Sequence, residues 1–283
     1  MSILTDTYTL NNGTKIPKVA FGTWQTPDGD VAYQAVSSAL KFGYRHIDTA
    51  KIYGNEKSVG RAIADSDVKR EDLWVTTKLP SQDKTRDLVL ADFESSLSRL
   101  GLDYVDLYLI HAPWPWREAG SKRFDEENAE AWKTLEELQK SGRVKSIGIS
   151  NFDVHDMENI LKIAEIKPVV NQIQYYIGFT EPKISKFAAE HDIRIEAYSP
   201  LATGDILNSE AIRKIAGRYN VSVAQLALRF TLQNGTVTLP KAISERHIQE
   251  NTQLDFTIND DDMRTLNSMP DAAPAHFHNS TQG

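Results

Sequence analysis

Four residues in the first half of the chain carry side chains suited to handing a proton to an oxygen: the carboxylate Asp48, the phenol Tyr53, the amine Lys78 and the imidazole His111. Each has an ordinary explanation when taken singly. Asp48 reads as a turn or salt-bridge residue, Tyr53 as a packed ring with a wet hydroxyl, Lys78 as a solvated charge at a strand end, and His111 as a satisfied core histidine. Brought to one rim they make a set. Asp48 can pair with Lys78, and an ammonium close to Tyr53 is expected to favour the phenolate and pull the phenol below its usual pKa of about 10. Such a group donates a proton near neutral pH, and His111 would orient an incoming carbonyl oxygen. The set suits reduction of a C=O bond, in which oxygen takes a proton while carbon takes a hydride.

Other motifs are weaker. No two glycines lie two apart and no GxxxxGK occurs, so neither nucleotide-binding glycine loop is present. Tyr53 and Lys57 match a Tyr-x-x-x-Lys spacing, but the glycine-rich turn that should accompany it is missing. Ser81-Gln82-Asp83-Lys84 matches Ser-x-x-Lys without its companion motifs. His276 and His278 lack a third ligand, so no metal site is expected.

The elements that must position these residues show in an alternation. Runs rich in β-branched and apolar residues begin at Lys18, Tyr44, Leu73, Val105, Val144, Val169, Ile193 and Val237. Between them lie segments with helical spacing, several closing on glycine at Gly43, Gly101 and Gly142. Strands alternating with helices imply βαβ units and a parallel sheet, and eight units in a chain of this length suit a closed α/β barrel of the (β/α)8, or TIM, type. The wide spacing after the fourth run predicts an extra loop, and that before the eighth predicts an extra helix. Asn12-Gly13 predicts an N-terminal β-hairpin that plugs the barrel. No composition shift divides residues 1–283, so a single domain is expected. In such barrels chemistry collects at the C-terminal strand ends. Those ends deliver Gly22 and Trp24, Asp48 with Tyr53 beyond it, Lys78, His111, Ser150 and Asn151, Asn171 and Gln172, Tyr198 and Ser199, and Lys241.

Composition excludes other classes. The 283 residues are 40% hydrophobic and 25% charged, which is globular composition. With no cysteine there are no disulfides, thiolate nucleophiles or cysteine zinc sites. A net charge of −7 argues against nucleic acid or anionic membrane as a partner. The N-terminus has neither the basic region nor the apolar run of a signal peptide, and no stretch approaches the roughly 20 apolar residues of a membrane span. A cytoplasmic location is expected.

The segments FGTWQ, GYRHIDTAKIYGNE, VTTKLP, LIHAPWP, IGISNF, NQIQYY, AYSPLATGDIL and LPKAISERHIQEN resemble, in order, the signatures of the aldo-keto reductases. The similarity is greatest to the bacterial and yeast branch that includes diketo-gluconate reductases. The resemblance implies NADPH-dependent reduction of a small-molecule carbonyl by a monomer, with Asp48, Tyr53, Lys78 and His111 as a catalytic tetrad and Tyr53 as the general acid. It implies that Ser150, Asn151 and Gln172 hold the carboxamide of the cofactor and that Tyr198 stacks on its nicotinamide. Ser199, Leu201 and the backbone around Gly204 and Asp205 would face the pyrophosphate. Lys241, Ala242, Ser244, His247 and Asn251 would hold the adenosine end, with Gly22, Thr23 and Asp48 also against the cofactor. Trp24 and Trp114 would line the substrate pocket beside Tyr53 and His111, with Trp116 and Phe277 as further candidates.

Two departures stand out. His247 falls where the family carries an Arg that grips the 2′-phosphate of NADPH, with Arg246 one residue early, so some use of NADH is expected. Lys51 replaces a small residue between Asp48 and Tyr53, without explanation from the sequence. Two other readings are open: a Schiff-base aldolase using Lys78, and a cofactor-binding regulatory subunit with negligible turnover.

Overall fold

The apolar runs become strands and the amphipathic segments between them become helices. The computed structural model describes residues 3–271; Phe277, His276 and His278 lie outside the described residues. A hairpin of β1 (Thr7–Thr9) and β2 (Lys15–Pro17) comes first. The chain then alternates through β3 (Phe21–Gly22), α1 (Asp30–Lys41), β4 (His46–Asp48), α2 (Glu56–Ala64), β5 (Trp74–Leu79) and α3 (Arg86–Leu100). It continues through β6 (Val105–Ile110), α4 (Asp125–Lys140), β7 (Val144–Ser150), α5 (Val154–Ile163), β8 (Val170–Gln174) and α6 (Pro182–Glu190). After β9 (Arg194–Tyr198) come α7 (Glu210–Arg218), α8 (Val223–Gln233), β10 (Val237–Leu239), α9 (Glu245–Glu250) and α10 (Asp260–Ser268).

Strands β3 to β10 pair in sequence order, all parallel. The sheet closes where Val19 bridges Thr238, with Ala20 N donating to Thr238 O at 2.9 Å and Thr238 N to Lys18 O at 3.0 Å. This is the expected (β/α)8 barrel. The expected first strand shrinks to Phe21–Gly22 because the chain turns at once: Thr26 N donates to Thr23 O at 3.1 Å and Gln25 is left-handed at φ 57°. The extra loop after β6 carries a 3-10 turn at Trp116–Glu118, and the extra helix before β10 is α7.

Side chains alternate along each strand. Val75, Leu79, Tyr108 and Ile110 face the helices, while Trp74, Leu107, Leu109 and Val170 fill the barrel. At the N-terminal end the hairpin residues Leu10 and Ile16 join that inner cluster, and Asn11 Nδ2 donates to Pro168 O at 2.8 Å. The hairpin therefore closes this end, as expected, and the C-terminal end is left for chemistry. Close packing sets one helix position: a Cβ on Gly60 of α2 would lie 2.1 Å from the Leu100 carbonyl oxygen ending α3.

Candidate active site

Asp48 ends β4 and Lys78 lies near the end of β5. Lys78 is fully buried, and its Nζ lies 2.6 Å from Asp48 Oδ1, 2.9 Å from Thr49 O and 3.3 Å from Tyr53 OH. Tyr53 arrives on a 3-10 turn, Lys51–Tyr53, and Gly54 in left-handed backbone (φ 71°) reverses the chain into α2. Lys51 on this turn pairs with Asp92 of α3, which accounts for a cation at that position. Asn55 Nδ2 donates to Thr23 O and Thr26 O, both at 2.9 Å, and its Oδ1 accepts from Thr49 Oγ1 at 3.0 Å, so the loops after β3 and β4 are tied together. His111 follows β6, and its ring meets Tyr53 edge to face at 5.6 Å. The four residues converge on one mouth.

Their electrostatics differ from expectation at one point. Tyr53 is half-buried, with its hydroxyl 3.3 Å from Lys78 Nζ. Burial first, and the Asp48 charge second, push its pKa well above the usual 10 rather than below it. Lys78 does not overcome this, because its charge is largely offset by Asp48 at 2.6 Å. The phenol thus keeps its proton at neutral pH. His111 is held well below the ordinary histidine value by burial and by Lys78, so its ring is neutral. Its buried Nδ1 has no hydrogen-bond partner among the described residues.

Below the mouth lies a polar chain that sequence reasoning missed. Gln172 Nε2 donates to Asp48 Oδ2 at 2.9 Å and to Glu196 Oε2 at 3.0 Å. Glu196 is fully buried, and burial, followed by the Asp48 charge, pushes its pKa up to about 8. His46 Nε2 lies 3.9 Å from Glu196 Oε1 and 3.0 Å from Thr76 Oγ1, and burial pushes His46 down to about 3. A signal was available: His46, Thr76 and Glu196 each stand two residues before an inward-facing residue already singled out, Asp48, Lys78 or Tyr198.

The expected cofactor residues fall at four places along the chain. Ser150, Asn151, Gln172 and Tyr198 meet beside His111. Ser150 Oγ donates to Gln172 O at 2.8 Å, Asn151 Nδ2 to His111 O at 2.9 Å, and Tyr198 OH to Asn151 Oδ1 at 2.7 Å. Gly22 N donates to Pro240 O and Thr23 Oγ1 to Asp48 O, each at 3.0 Å. After β9 the backbone is left-handed at Ser199, Ala202, Thr203 and Gly204, with half-buried Leu201 among them. Three of these four residues carry side chains, a concentration of backbone strain typical of functional loops. Beyond β10, Lys241 is exposed and Ala242 buried, Ser244 Oγ caps α9 by accepting from His247 N at 3.3 Å, and Asn251 ends that helix. His247 is exposed, whereas Arg246 is turned to Glu250 at 2.8 Å.

The tryptophans divide. Trp24 is 43% exposed in the turn after β3. Trp114 is buried with Ala112 and Phe124. Exposed Trp116 has its ring 5.7 Å from His111 and 5.0 Å from Trp114. A cleft of about 850 Å³ at the opposite end, lined by Lys15, Arg45 and Trp74 among others, contains none of the converging groups. Among the described residues no cluster suits a metal ion, and no helix is long and apolar enough to cross a membrane.

The model of the Aldo/keto reductase family matches residues 18–271. The chain is 42% identical over 267 residues to the glyoxal reductase of Bacillus subtilis, covering 94% of this chain and 93% of that one. The crystal structure of an aldo/keto reductase from Brucella melitensis superposes with a TM-score of 0.88 at 41% identity, over 94% of this chain and 98% of that one. An aldo-keto reductase of Bombyx mori, solved in complex with NADP, superposes with a TM-score of 0.85 at 31% identity, over 94% and 93% of the two chains.

Proposed function

The chain belongs to the aldo/keto reductase family, and on that premise we propose that it reduces small-molecule aldehydes and ketones with NADPH, and also accepts NADH. The relative named glyoxal reductase and the NADP-bound structural relative support this reading. The observation that carries it is the buried Asp48–Lys78–Tyr53 contact beside a neutral His111.

A nicotinamide dinucleotide suits the donor set. Ser150, Asn151 and Gln172 offer amide and hydroxyl partners for a carboxamide, and Tyr198 offers a ring. Lys241, Ser244 and the first turn of α9 offer donors for phosphate. When bound, the reduced cofactor supplies a hydride to the carbonyl carbon. Tyr53 donates its proton to the carbonyl oxygen. The raised pKa keeps that proton in place until negative charge develops on the oxygen, and the Lys78 ammonium stabilises the phenolate left behind. Asp48 holds Lys78 in position. Neutral His111 can offer a hydrogen bond to the oxygen without competing as an acid. Trp24 and Trp116 present apolar faces to the substrate.

The aldolase reading is disfavoured because Lys78 Nζ is surrounded by three acceptors and fully buried. A regulatory subunit would not need an assembled proton donor. Tyr53→Phe should lower kcat by about a hundredfold or more, because it removes a positioned general acid. NADPH affinity, read by fluorescence titration, should stay within about threefold, since a cofactor contact is not lost. Near-normal kcat in this variant would reject the mechanism.

A further inference from the structure

Lys84 lies in the loop between β5 and α3 and is 5% exposed. The Ser-x-x-Lys spacing it shares with Ser81 does not make a nucleophile, because the buried Ser81 Oγ has no hydrogen-bond partner among the described residues. Lys84 Nζ instead donates to Ala112 O at 3.0 Å, to Pro113 O at 2.7 Å and to Asn128 Oδ1. Asn128, in the first turn of α4 and itself buried, donates from Nδ2 to Pro113 O at 3.0 Å. The Pro113 carbonyl is thus clamped between donors from two different elements.

What this clamp holds is the start of the loop after β6. Pro113 and Pro115 have no N–H, so these two residues can be held by hydrogen bonds only through their carbonyls. An ammonium supplies three donors from one atom, one for each acceptor here. Its burial is costly unless every proton is used; burial pulls its pKa down to about 7 against the opposing charges of Asp156 and Glu127. The far end of the loop has its own anchor, Arg123 on Asp153 at 2.7 Å and Asp156 at 3.2 Å. Between the anchors residues 116–123 are exposed. The residue after the clamp is Trp114, which backs Trp116, which faces His111.

We propose that Lys84 is a positioning residue that fixes the turn at 112–114, and with it the Trp114–Trp116 wall, so that it sets the preference for aromatic over small carbonyl compounds. This rests on the reading of the Tyr53–His111 mouth as the substrate site. The test uses full-length Lys84→Met and, independently, Asn128→Ala. With benzaldehyde and NADPH, Lys84→Met should raise KM about tenfold with kcat within about threefold, while KM for methylglyoxal moves less than about twofold. NADPH affinity should be unchanged. Trypsin should cut at Arg117, Lys122 or Arg123 about tenfold faster, because the loop opens more often. Asn128→Ala should move both readouts in the same direction by less, and it decides the matter if Lys84→Met fails to fold. An unchanged substrate ranking with unchanged proteolysis, or an equal fall in kcat for both aldehydes, would overturn the proposal. Wild type that reduces neither aldehyde would instead reject the functional reading, while proteolysis would still judge the clamp.

Discussion

His247 stands exposed on the first turn of α9, capped by Ser244. The neighbouring Arg246 pairs with Glu250 on its own helix at 2.8 Å. Guanidinium grips phosphate with a planar, permanently charged fork, and imidazole does not. A charged hydrogen bond is worth about 1.5–3 kcal/mol, so an arginine at this position should gain about ten- to a hundredfold in affinity for a 2′-phosphate. His247→Arg should therefore raise the ratio of kcat/KM for NADPH over NADH by about tenfold or more, chiefly by lowering the NADPH KM. If wild type shows no NADH activity and the ratio stays flat in the variant, another group already binds the phosphate.

At the scale of elements, α2 is the support on which the Tyr53 turn ends. It packs on α3 through Gly60, and Glu56 of α2 accepts from Arg99 Nε of α3 at 2.7 Å and from Thr77 Oγ1 at 2.5 Å. Gly60→Ala would place a methyl 2.1 Å from a backbone oxygen that cannot swing aside. Overpacking of this kind costs about 1–3 kcal/mol, so thermal unfolding should fall by several degrees. Gly217 of α7 has nothing within 4 Å of its hypothetical Cβ, and Gly217→Ala should be neutral or stabilising by up to about 1 kcal/mol. The opposite signs of two identical substitutions test the packing directly; a Gly60→Ala variant as stable as wild type would show that α2 and α3 can move apart freely.

For the whole molecule, the buried polar chain makes stability depend on pH. Glu196 has a folded pKa of about 8, raised above the ordinary 4.5, so the folded barrel keeps a proton that the unfolded chain releases. Its contribution is present below about pH 4.5 and is lost as pH rises toward 8. His46, depressed to about 3 from 6.5, acts the other way: its contribution is present above about pH 6.5 and is lost as pH falls toward 3. The two slopes cancel between those ordinary values. Above them Glu196 alone of the pair acts, at about 1.4 kcal/mol per pH unit. Because His46 titrates in both proteins, Glu196→Gln should gain stability relative to wild type from about pH 4.5 to 8, read as the difference in denaturant midpoints. A difference that does not change with pH would mean that Glu196 is already ionised in the folded state.

The alternation of eight β-branched runs with amphipathic segments was enough to specify the barrel, because periodicity and burial are local properties of the chain. The rule that chemistry gathers at the C-terminal strand ends then singled out Asp48, Tyr53, Lys78 and His111, and resemblance added the surrounding residues. Tertiary structure decided what depends on approach between distant segments. It turned the Tyr53 pKa upward, because burial and the Asp48 charge outweigh an ammonium already paired. It set the Trp116 ring 5.7 Å from His111, and it joined Lys84 to the Pro113 carbonyl at 2.7 Å. It placed Lys51 on Asp92, and it joined Glu196 to Asp48 through Gln172. Such long-range pairings have no period for a sequence to display; they exist only once closure of the sheet has brought the strands around one axis.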